Sequence, residues 1–495
     1  MEKNIISFRE MIKEKKMIDS MLALLQWDLE TQTPKGGYKL LSEMIGELSL
    51  RSYNLTTSEK FLKMIEVLKE KENELDEITK KEIEQLEEEI LKIKVIPADE
   101  YKAYSELTAK AQGIWEVARE KNDFESFAPV LEEIFNFNKK FIQYRKVEGD
   151  IYSTILNDYE KGMNVEKLDL FFAELKKEIV PLLKEIKSRD RKFSEKLNFK
   201  VDKREQKRFS EEILKYIGFD LERGVLSESA HPFTLTVDKS DVRLTTRYFE
   251  ELPFSSVYST IHEGGHGIYE QNIGDEIKDT LLADGASMGI HESQSRFYEN
   301  VIGRSREFWY GFLNKSKCKY EALENLTLDE IYKGINEVSP SFIRVEADEL
   351  TYSLHIMIRY EIEKGILSGE YLIKDLPEIW NGKMKEYLGV VPEKDSEGVL
   401  QDVHWSCGLI GYFPSYALGN VYSIQILRAM KKEINIEGAL ERGELKDIKK
   451  WLIEKIHKFG KLKSPKELMV LITGEELNPD YYIEYLKEKY REIYD

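Results

Sequence analysis

Cysteine is almost missing from this chain: Cys318 and Cys407 are the two among 495 residues, far apart and outside any CxxC spacing. That excludes a disulfide framework and a cysteine-zinc site, and it fits a reducing cytoplasm. Long apolar runs are missing too. No stretch reaches the ~18 apolar residues of a membrane span. The first residues, MEKNIISFREMIKEKK, mix both charges and lack the apolar core of about 7–15 residues that a secretory signal carries. Positive charge is in short supply: 74 Lys and Arg against 92 Asp and Glu give a formal charge of −18. Such a balance excludes nucleic acid and anionic membranes as partners. What is present is the composition of a soluble globular protein, 41% hydrophobic and 34% charged, with much helix-forming Glu, Lys and Leu. No internal boundary stands out.

The chain is organised around Ser255–Ile268, SSVYSTIHEGGHGI, which sets His262, Glu263 and His266 in the HExxH pattern. Residues four apart on a helix share a face, about 5–6 Å apart at Cβ, so two imidazoles can converge on one ion. The chemistry of the pattern is two histidines on zinc and a glutamate beside the first as general base toward the attacking water. Gly264 and Gly265 each cost a helix about 1 kcal/mol relative to alanine, which predicts that something approaches this helix backbone closely. A third histidine at the HExxHxxGxxH spacing is absent. The next candidate ligand is Glu292, within the helical-looking GASMGIHESQSRFYENVIG, and spacing alone leaves His291 and Glu299 as rivals. A carboxylate on a second helix would complete a His, His, Glu set with the fourth position open, which is catalytic coordination.

Residues 1–217 read as helical scaffold. Ile5–Leu29 is periodic, with Phe8, Met11, Met17, Met21, Leu24 and Leu25 near helical spacing, and TQTPKGG ends it. The Glu- and Lys-rich stretch 58–96 reads as two antiparallel helices with solvated faces, closed by Pro97. Residues 99–147 continue as helix with an aromatic core set, and Val165–Ser188 is a further helix.

The character changes in residues 218–420, the portion expected to hold the active site. HPFTLTVDKSDVRLTTRYF holds two short alternating runs, Thr234–Val237 and Val242–Thr246, a β-hairpin joined by DKSD. An edge strand there could hold an extended peptide. Residues 341–364 read as one apolar helix, with Asp348 and Glu349 as partners of its N-terminal dipole. Arg344 near its start has the fork that grips a carboxylate, whereas His355 reads as a satisfied core histidine. GVLQDVHWSCGLIGYFPSYALGN, residues 398–420, is poor in charge and rich in glycine and aromatics, the composition of a site-forming loop. In it His404 and Tyr416 could donate hydrogen bonds to an oxyanion. Residues 421–495 return to charged helices.

With these residues in view the chain resembles the M32 metallocarboxypeptidases, the carboxypeptidase Taq family. The likeness lies in an ordered series: HPF at 231–233, DVRLT at 241–245, HEGGH at 262–266, HESQ at 291–294, IRVEAD at 343–348 and GVLQDVHW at 398–405, preceded by WDLETQTPKGG at 27–37. The resemblance implies a mainly helical, elongated metallopeptidase fold with a deep central groove, a small hairpin or sheet beside the HExxH helix, and a single peptidase domain. It implies a homodimer and one metal per chain, Zn2+ or sometimes Co2+, with Glu292 as third ligand rather than His291 or Glu299. The implied activity is release of single amino acids from free C-termini of peptides, with broad preference and poor action on C-terminal proline. Arg344 and the Gln401–Trp405 segment are implied in recognising the substrate C-terminus, and His231, Asp241 and Arg243 in shaping the closed end of the groove.

An endopeptidase or oligopeptidase using the same site is the competing enzyme reading, because HExxH with a glutamate does not say where a peptide is cut. A catalytically silent peptide-binding protein is the competing reading from another class.

Overall fold

The computed structural model describes residues 2–316 and 320–495, so Cys318 lies outside the described residues, and Cys407 is exposed. Helices take up 69% of the chain, and one three-stranded sheet is the only sheet among the described residues, which makes the fold mainly α. No helix among the described residues is long and apolar enough to cross a membrane.

The chain begins with α1 (Glu2–Thr31), α2 (Tyr38–Thr57), α3 (Glu59–Lys69) and α4 (Glu77–Lys94). The side chains of Ser58 and Asp76 cap α3 and α4 by accepting from the backbone N–H of Phe61 and Thr79. Of the apolar residues expected to form the stripe of α1, Phe8 and Met11 are buried, but Met17, Met21 and Leu24 are exposed. The buried side of α1 runs instead through Phe8, Met11, Ile12, Ile18 and Trp27. Spacings of three and four admit two stripes on so long a helix, and contact with α3, α4 and the sheet selects one.

Helices α5 (Ala98–Lys121) and α6 (Phe124–Tyr144) replace the single helix expected over 99–147. Asn122 takes the left-handed conformation (φ 57°) and Asp123 caps α6 through Ser126 N, so two small polar residues end one helix and start the next. Then come α7 (Ile151–Tyr159), α8 (Val165–Ser188) and α9 (Lys203–Ile217).

Strands β1 (Gly224–Glu228), β2 (Thr234–Asp238) and β3 (Asp241–Thr246) form a sheet of order β1-β3-β2. The hairpin is β2 antiparallel to β3, with Leu235 opposite Arg243. The parallel strand β1 has no sequence signature; it is five residues long and half-buried without a clean alternation. Val242 and Leu244 of β3 are fully buried and belong to the main core.

The sheet leads into α10 (Pro253–Gln271), and α11 (Met288–Arg296) runs on into one π-helical segment, residues 297–302. Next are α12 (Arg306–Lys315), α13 (Leu328–Ile335), α14 (Glu349–Ser368), α15 (Leu376–Tyr387) and α16 (Pro414–Met430). The chain ends with α17 (Ile436–Glu441), α18 (Lys446–Lys455), α19 (Pro465–Thr473) and α20 (Asp480–Tyr494).

Two sequence expectations change in this half. Residues 341–348 are not the start of a helix; a short 3-10 turn spans Arg344–Glu346, and α14 begins only after Asp348, whose side chain caps it by accepting from Thr351 N at 3.0 Å. Residues 414–420, expected as loop, are helical, which puts Tyr416 on the first turn of α16.

The main hydrophobic core runs from Ala111 to Tyr494. A separate small core of Phe8, Met11, Ile12, Phe61, Ile65, Leu68, Leu75, Ile83, Leu86 and Ile90 belongs to α1, α3 and α4. Polar contacts tie this small core to the loop after α10: buried Glu82 accepts from Leu281 N at 2.7 Å, and Lys16 Nζ donates to the carbonyl of Thr280 at 3.1 Å. Trp27, at the end of α1, meets Phe233 edge-on beside the hairpin, 5.7 Å between centroids.

Candidate metal centre and its guanidinium neighbour

One turn apart on α10, His262 and His266 stand with ring centroids 4.9 Å apart. The two glycines between them make room as the sequence predicts. A Cβ on Gly265 would come 2.7 Å from Ser295 Cα of α11, and one on Gly264 would come 2.7 Å from Ile217 Cδ1 of α9. What approaches the helix is therefore the backbone of α11 on one side and the end of α9 on the other. The close approach brings Glu292 to the histidines: its Oε2 lies 3.8 Å from His262 Nε2 and 3.6 Å from His266 Nε2. Behind Glu292 is Gly419 of α16, where a Cβ would meet Glu292 Cγ at 2.5 Å.

His262, His266 and Glu292 offer ligand atoms that all lie within 4.8 Å of one another. Nitrogen and oxygen ligands about 2.0–2.2 Å from a tetrahedral zinc stand about 3.4 Å apart. The observed separations are close to that and too long for direct hydrogen bonds, so the donor set fits a zinc-sized ion between them. The metal is an inference from this donor set.

The two rivals for the third position occupy the outer face of the histidines. Glu299, in the π-helical segment, accepts at 2.9 Å from His262 Nδ1, and it also takes hydrogen bonds from Arg296 and Arg304. His291 Nδ1 lies 2.5 Å from His266 Nδ1, and His291 Nε2 lies 2.8 Å from Glu270 Oε1. Neither reaches the space among the three ligand candidates; each holds one histidine. Burial pushes the Glu292 carboxyl up, but the Arg296 guanidinium and His262 overrule it and hold it well below its ordinary value. Burial above all lowers His266 to about 3, which keeps it neutral, the form that binds a cation. Glu263 is buried, which raises its carboxyl, and its Oε2 accepts from Thr234 Oγ1 at 2.5 Å. Thr234, the first residue of β2, is a partner that no sequence signal marks.

The second cluster lies between α14, α16 and the two loops before them. Arg344 is 6% exposed and donates from Nε and Nη2 to Asp402 Oδ1 at 3.0 and 2.9 Å, and from Nη1 to Tyr352 Oη at 3.0 Å. Arg359, fully buried in α14, donates from Nε to Asp402 Oδ2 at 2.7 Å. One carboxylate thus answers two guanidiniums, and burial notwithstanding it is held well below its ordinary value, first by Arg344 and then by Arg359. Asp402 lies inside the quoted GVLQDVHW motif, and Arg359 is a lone charge within an apolar helical run; these were the available signals for both.

Gln401 accepts from Arg344 N at 2.8 Å and donates to the carbonyls of Phe342, Glu397 and Gly398. Its amide binds one loop to the other, and its hydrogen-bonding capacity is used there. His404 Nε2 is 3.1 Å from Tyr416 Oη, so the two residues expected to act together are joined. Burial and then Arg344 lower His404 to about 3, and burial raises Tyr416 far above the ordinary phenol value, so the pair is neutral and keeps the Tyr416 proton. Tyr416 is one turn from Gly419 on α16, and Gly419 touches Glu292, which sets the phenol beside the metal centre. Tyr352 links the clusters: its hydroxyl takes Arg344, while the Arg296 guanidinium lies 4.1 Å over its ring.

The hairpin residues are placed apart from both clusters. Arg243 pairs with Asp241 through two hydrogen bonds of 2.9 and 2.8 Å and lies 5.6 Å over the Trp27 ring. His231 is exposed in the loop before β2. His355 is buried as expected, but neither ring nitrogen has a hydrogen-bond partner, and burial with Arg359 beside it holds the ring neutral.

Comparison with known proteins gives one answer from sequence and structure. The sequence pattern of the family described as Carboxypeptidase Taq (M32) metallopeptidase matches residues 7–490. The chain is 46% identical to Carboxypeptidase 1 of Bacillus subtilis over 490 residues, 98% of each chain. Its structure is similar to that of an M32 carboxypeptidase from Deinococcus radiodurans, with a TM-score of 0.96 at 32% identity over 99% of both chains. It is similar as well to Trypanosoma cruzi metallocarboxypeptidase 1, with a TM-score of 0.92 at 32% identity, covering 99% of this chain and 100% of that one.

Proposed function

The chain belongs to the carboxypeptidase Taq (M32) family of metallocarboxypeptidases, hydrolases of peptide bonds, and from that premise we propose a zinc-dependent enzyme that removes single residues from free peptide C-termini. His262, His266 and Glu292 hold the metal in this reading, and the observation that carries it is their convergence within 4.8 Å. Zinc bound there would act as Lewis acid and make water reactive near neutral pH; Co2+ could serve in its place.

The chain's own residues supply the remainder. Glu263, buried beside the histidines and oriented by Thr234, takes the proton of the attacking water and passes it to the leaving amine. Tyr416 keeps its proton and donates to the oxyanion, with His404 fixing the direction of its hydroxyl. Arg344, oriented by Asp402, holds the terminal carboxylate. Support for that choice is the charge count: two guanidiniums share one carboxylate in a buried cluster, a surplus that an anion would balance. Gln401 acts by fixing the Arg344 loop. His231, Asp241 and Arg243 shape the far end of the peptide groove, on the strength of the family resemblance. Broad preference, poor action on C-terminal proline, a single peptidase domain, a homodimer and a cytoplasmic site of action belong to the same reading.

The test is mass spectrometry of an N-terminally blocked peptide incubated with zinc-loaded protein, beside the same peptide bearing a C-terminal amide. A ladder of single-residue losses from the free acid alone is the expected result. Internal cuts in both peptides would overturn the exopeptidase reading.

A further inference from the structure

We propose that His291 and Glu270 form a positioning relay that decides which ring nitrogen His266 presents to the metal. The inference rests on the reading of His262, His266 and Glu292 as ligands. Its starting point is the placement of His266, whose Nε2 is 3.6 Å from Glu292 Oε2 on the side of the proposed metal and whose Nδ1 faces His291 Nδ1 at 2.5 Å. A histidine that gives its Nε2 lone pair to a metal carries its proton on Nδ1. That proton has His291 Nδ1 as its acceptor, which puts the His291 proton on Nε2, 2.8 Å from Glu270 Oε1.

The pocket for the relay ring is shaped by backbone. A Cβ on Gly285 would come 2.5 Å from His291 Cδ2, and the Tyr269 ring lies 5.3 Å away from it, centroid to centroid. The other histidine is held differently, since His262 Nδ1 meets the carboxylate of Glu299 directly. One ligand histidine thus meets a carboxylate directly, and the other reaches its carboxylate only through a second imidazole ring. Partners of this kind commonly set metal affinity by about 10–100-fold.

The experiment measures zinc dissociation constants by competition with a chromophoric chelator, together with the visible spectrum of Co2+-loaded protein. The variants are His291→Leu, which has no acceptor, and His291→Asn, whose side-chain oxygen reaches the Nδ1 position. The leucine variant should bind zinc about 10–100-fold more weakly with an altered Co2+ spectrum, and asparagine should restore most of the affinity and the spectrum. Equal affinity and identical Co2+ spectra in the two variants would overturn the relay. Should the leucine variant fail to fold, His291→Gln against His291→Asn repeats the contrast, because the longer amide reaches past Nδ1; equal affinities of that pair would also overturn it. Wild-type protein that binds no zinc, or His266→Ala protein that binds it as tightly, would instead remove the ligand assignment itself.

Discussion

Two buried charged clusters meet at Tyr352, and their signs are opposite. Around α10 and α11, the carboxylates of Glu263, Glu270, Glu292 and Glu299 outnumber the guanidiniums of Arg296 and Arg304. Around Asp402, the guanidiniums of Arg344 and Arg359 outnumber the carboxylate they share. Isolated charge is costly to bury, so each surplus is a place where an oppositely charged group gains by entering. The first suits a cation and the second an anion. A peptide with its terminal carboxylate at the second would bring its last carbonyl toward the first, and the distance between clusters is set by one tyrosine.

The largest effect expected from breaking this arrangement is on catalysis. Glu263→Gln keeps the shape and the Thr234 contact while removing the base, so kcat should fall by about 10²–10⁴-fold with zinc still bound. Steady-state kinetics with a metal assay decides it, and near-normal turnover would remove Glu263 from the role of base. On the positive side the corresponding change acts on stability. Asp402→Ala leaves two buried guanidiniums without their counter-charge, which should cost about 3–5 kcal/mol in denaturant unfolding. A loss well under 1 kcal/mol would mean that the surplus there is already neutralised.

Each cluster also has a buried glutamate behind it. Glu160 accepts from Gly289 N at the start of α11, and Glu363 accepts from Trp405 Nε1 and Gly411 N behind Asp402. Burial raises both from 4.5 to about 7. Between those values the fold holds protons that the unfolded chain has released. Their contribution is therefore complete below pH 4.5 and is lost as the pH rises through about 7. Each accounts for up to about 3 kcal/mol across that window. Glu160→Gln and Glu363→Gln should each flatten that fall in unfolding free energy, and an unchanged slope in both would show that neither carboxyl is protonated in the fold.

The smallest effect is on recognition. Arg344→Lys keeps the charge but loses the fork, so kcat/KM on free-acid peptides should drop by about 10–100-fold, mostly through KM. Inhibition by the amide peptide, which lacks the carboxylate, should be little affected. Equal weakening of free-acid KM and of amide-peptide inhibition would place Arg344 outside carboxylate recognition.

Much of the metal side was legible in the residues. The pair of glycines in HEGGH asked for a close neighbour, and α11 supplies it at Gly265. The positive side was less legible. Arg344 and His404 stood out by residue type, but Asp402 and Arg359 acquire meaning only when α14 and the 398–413 loop are folded together, 43 residues apart in sequence. The start of α14 was misread for a related reason. Acidic residues near a helix start fit both the first turn and the cap, and the hydrogen bond from Thr351 N to Asp348 decides for the cap.

What the sequence determined by itself was the face shared by His262 and His266, because the helical repeat fixes residues four apart whatever surrounds them. It also carried the hairpin, the largely helical class and the family, all written in local pattern and ordered motifs. Only the tertiary structure shows how Glu292, His291 and Glu299 stand toward the two imidazoles. All three lie within nine residues on α11 and its π-helical extension, but they point to different parts of the same two imidazoles: one to the Nε2 atoms of both, the others to one Nδ1 each. Sequence spacing gives the side of a helix on which a residue stands; how deeply α11 packs against the glycines of α10 sets which atom each residue reaches.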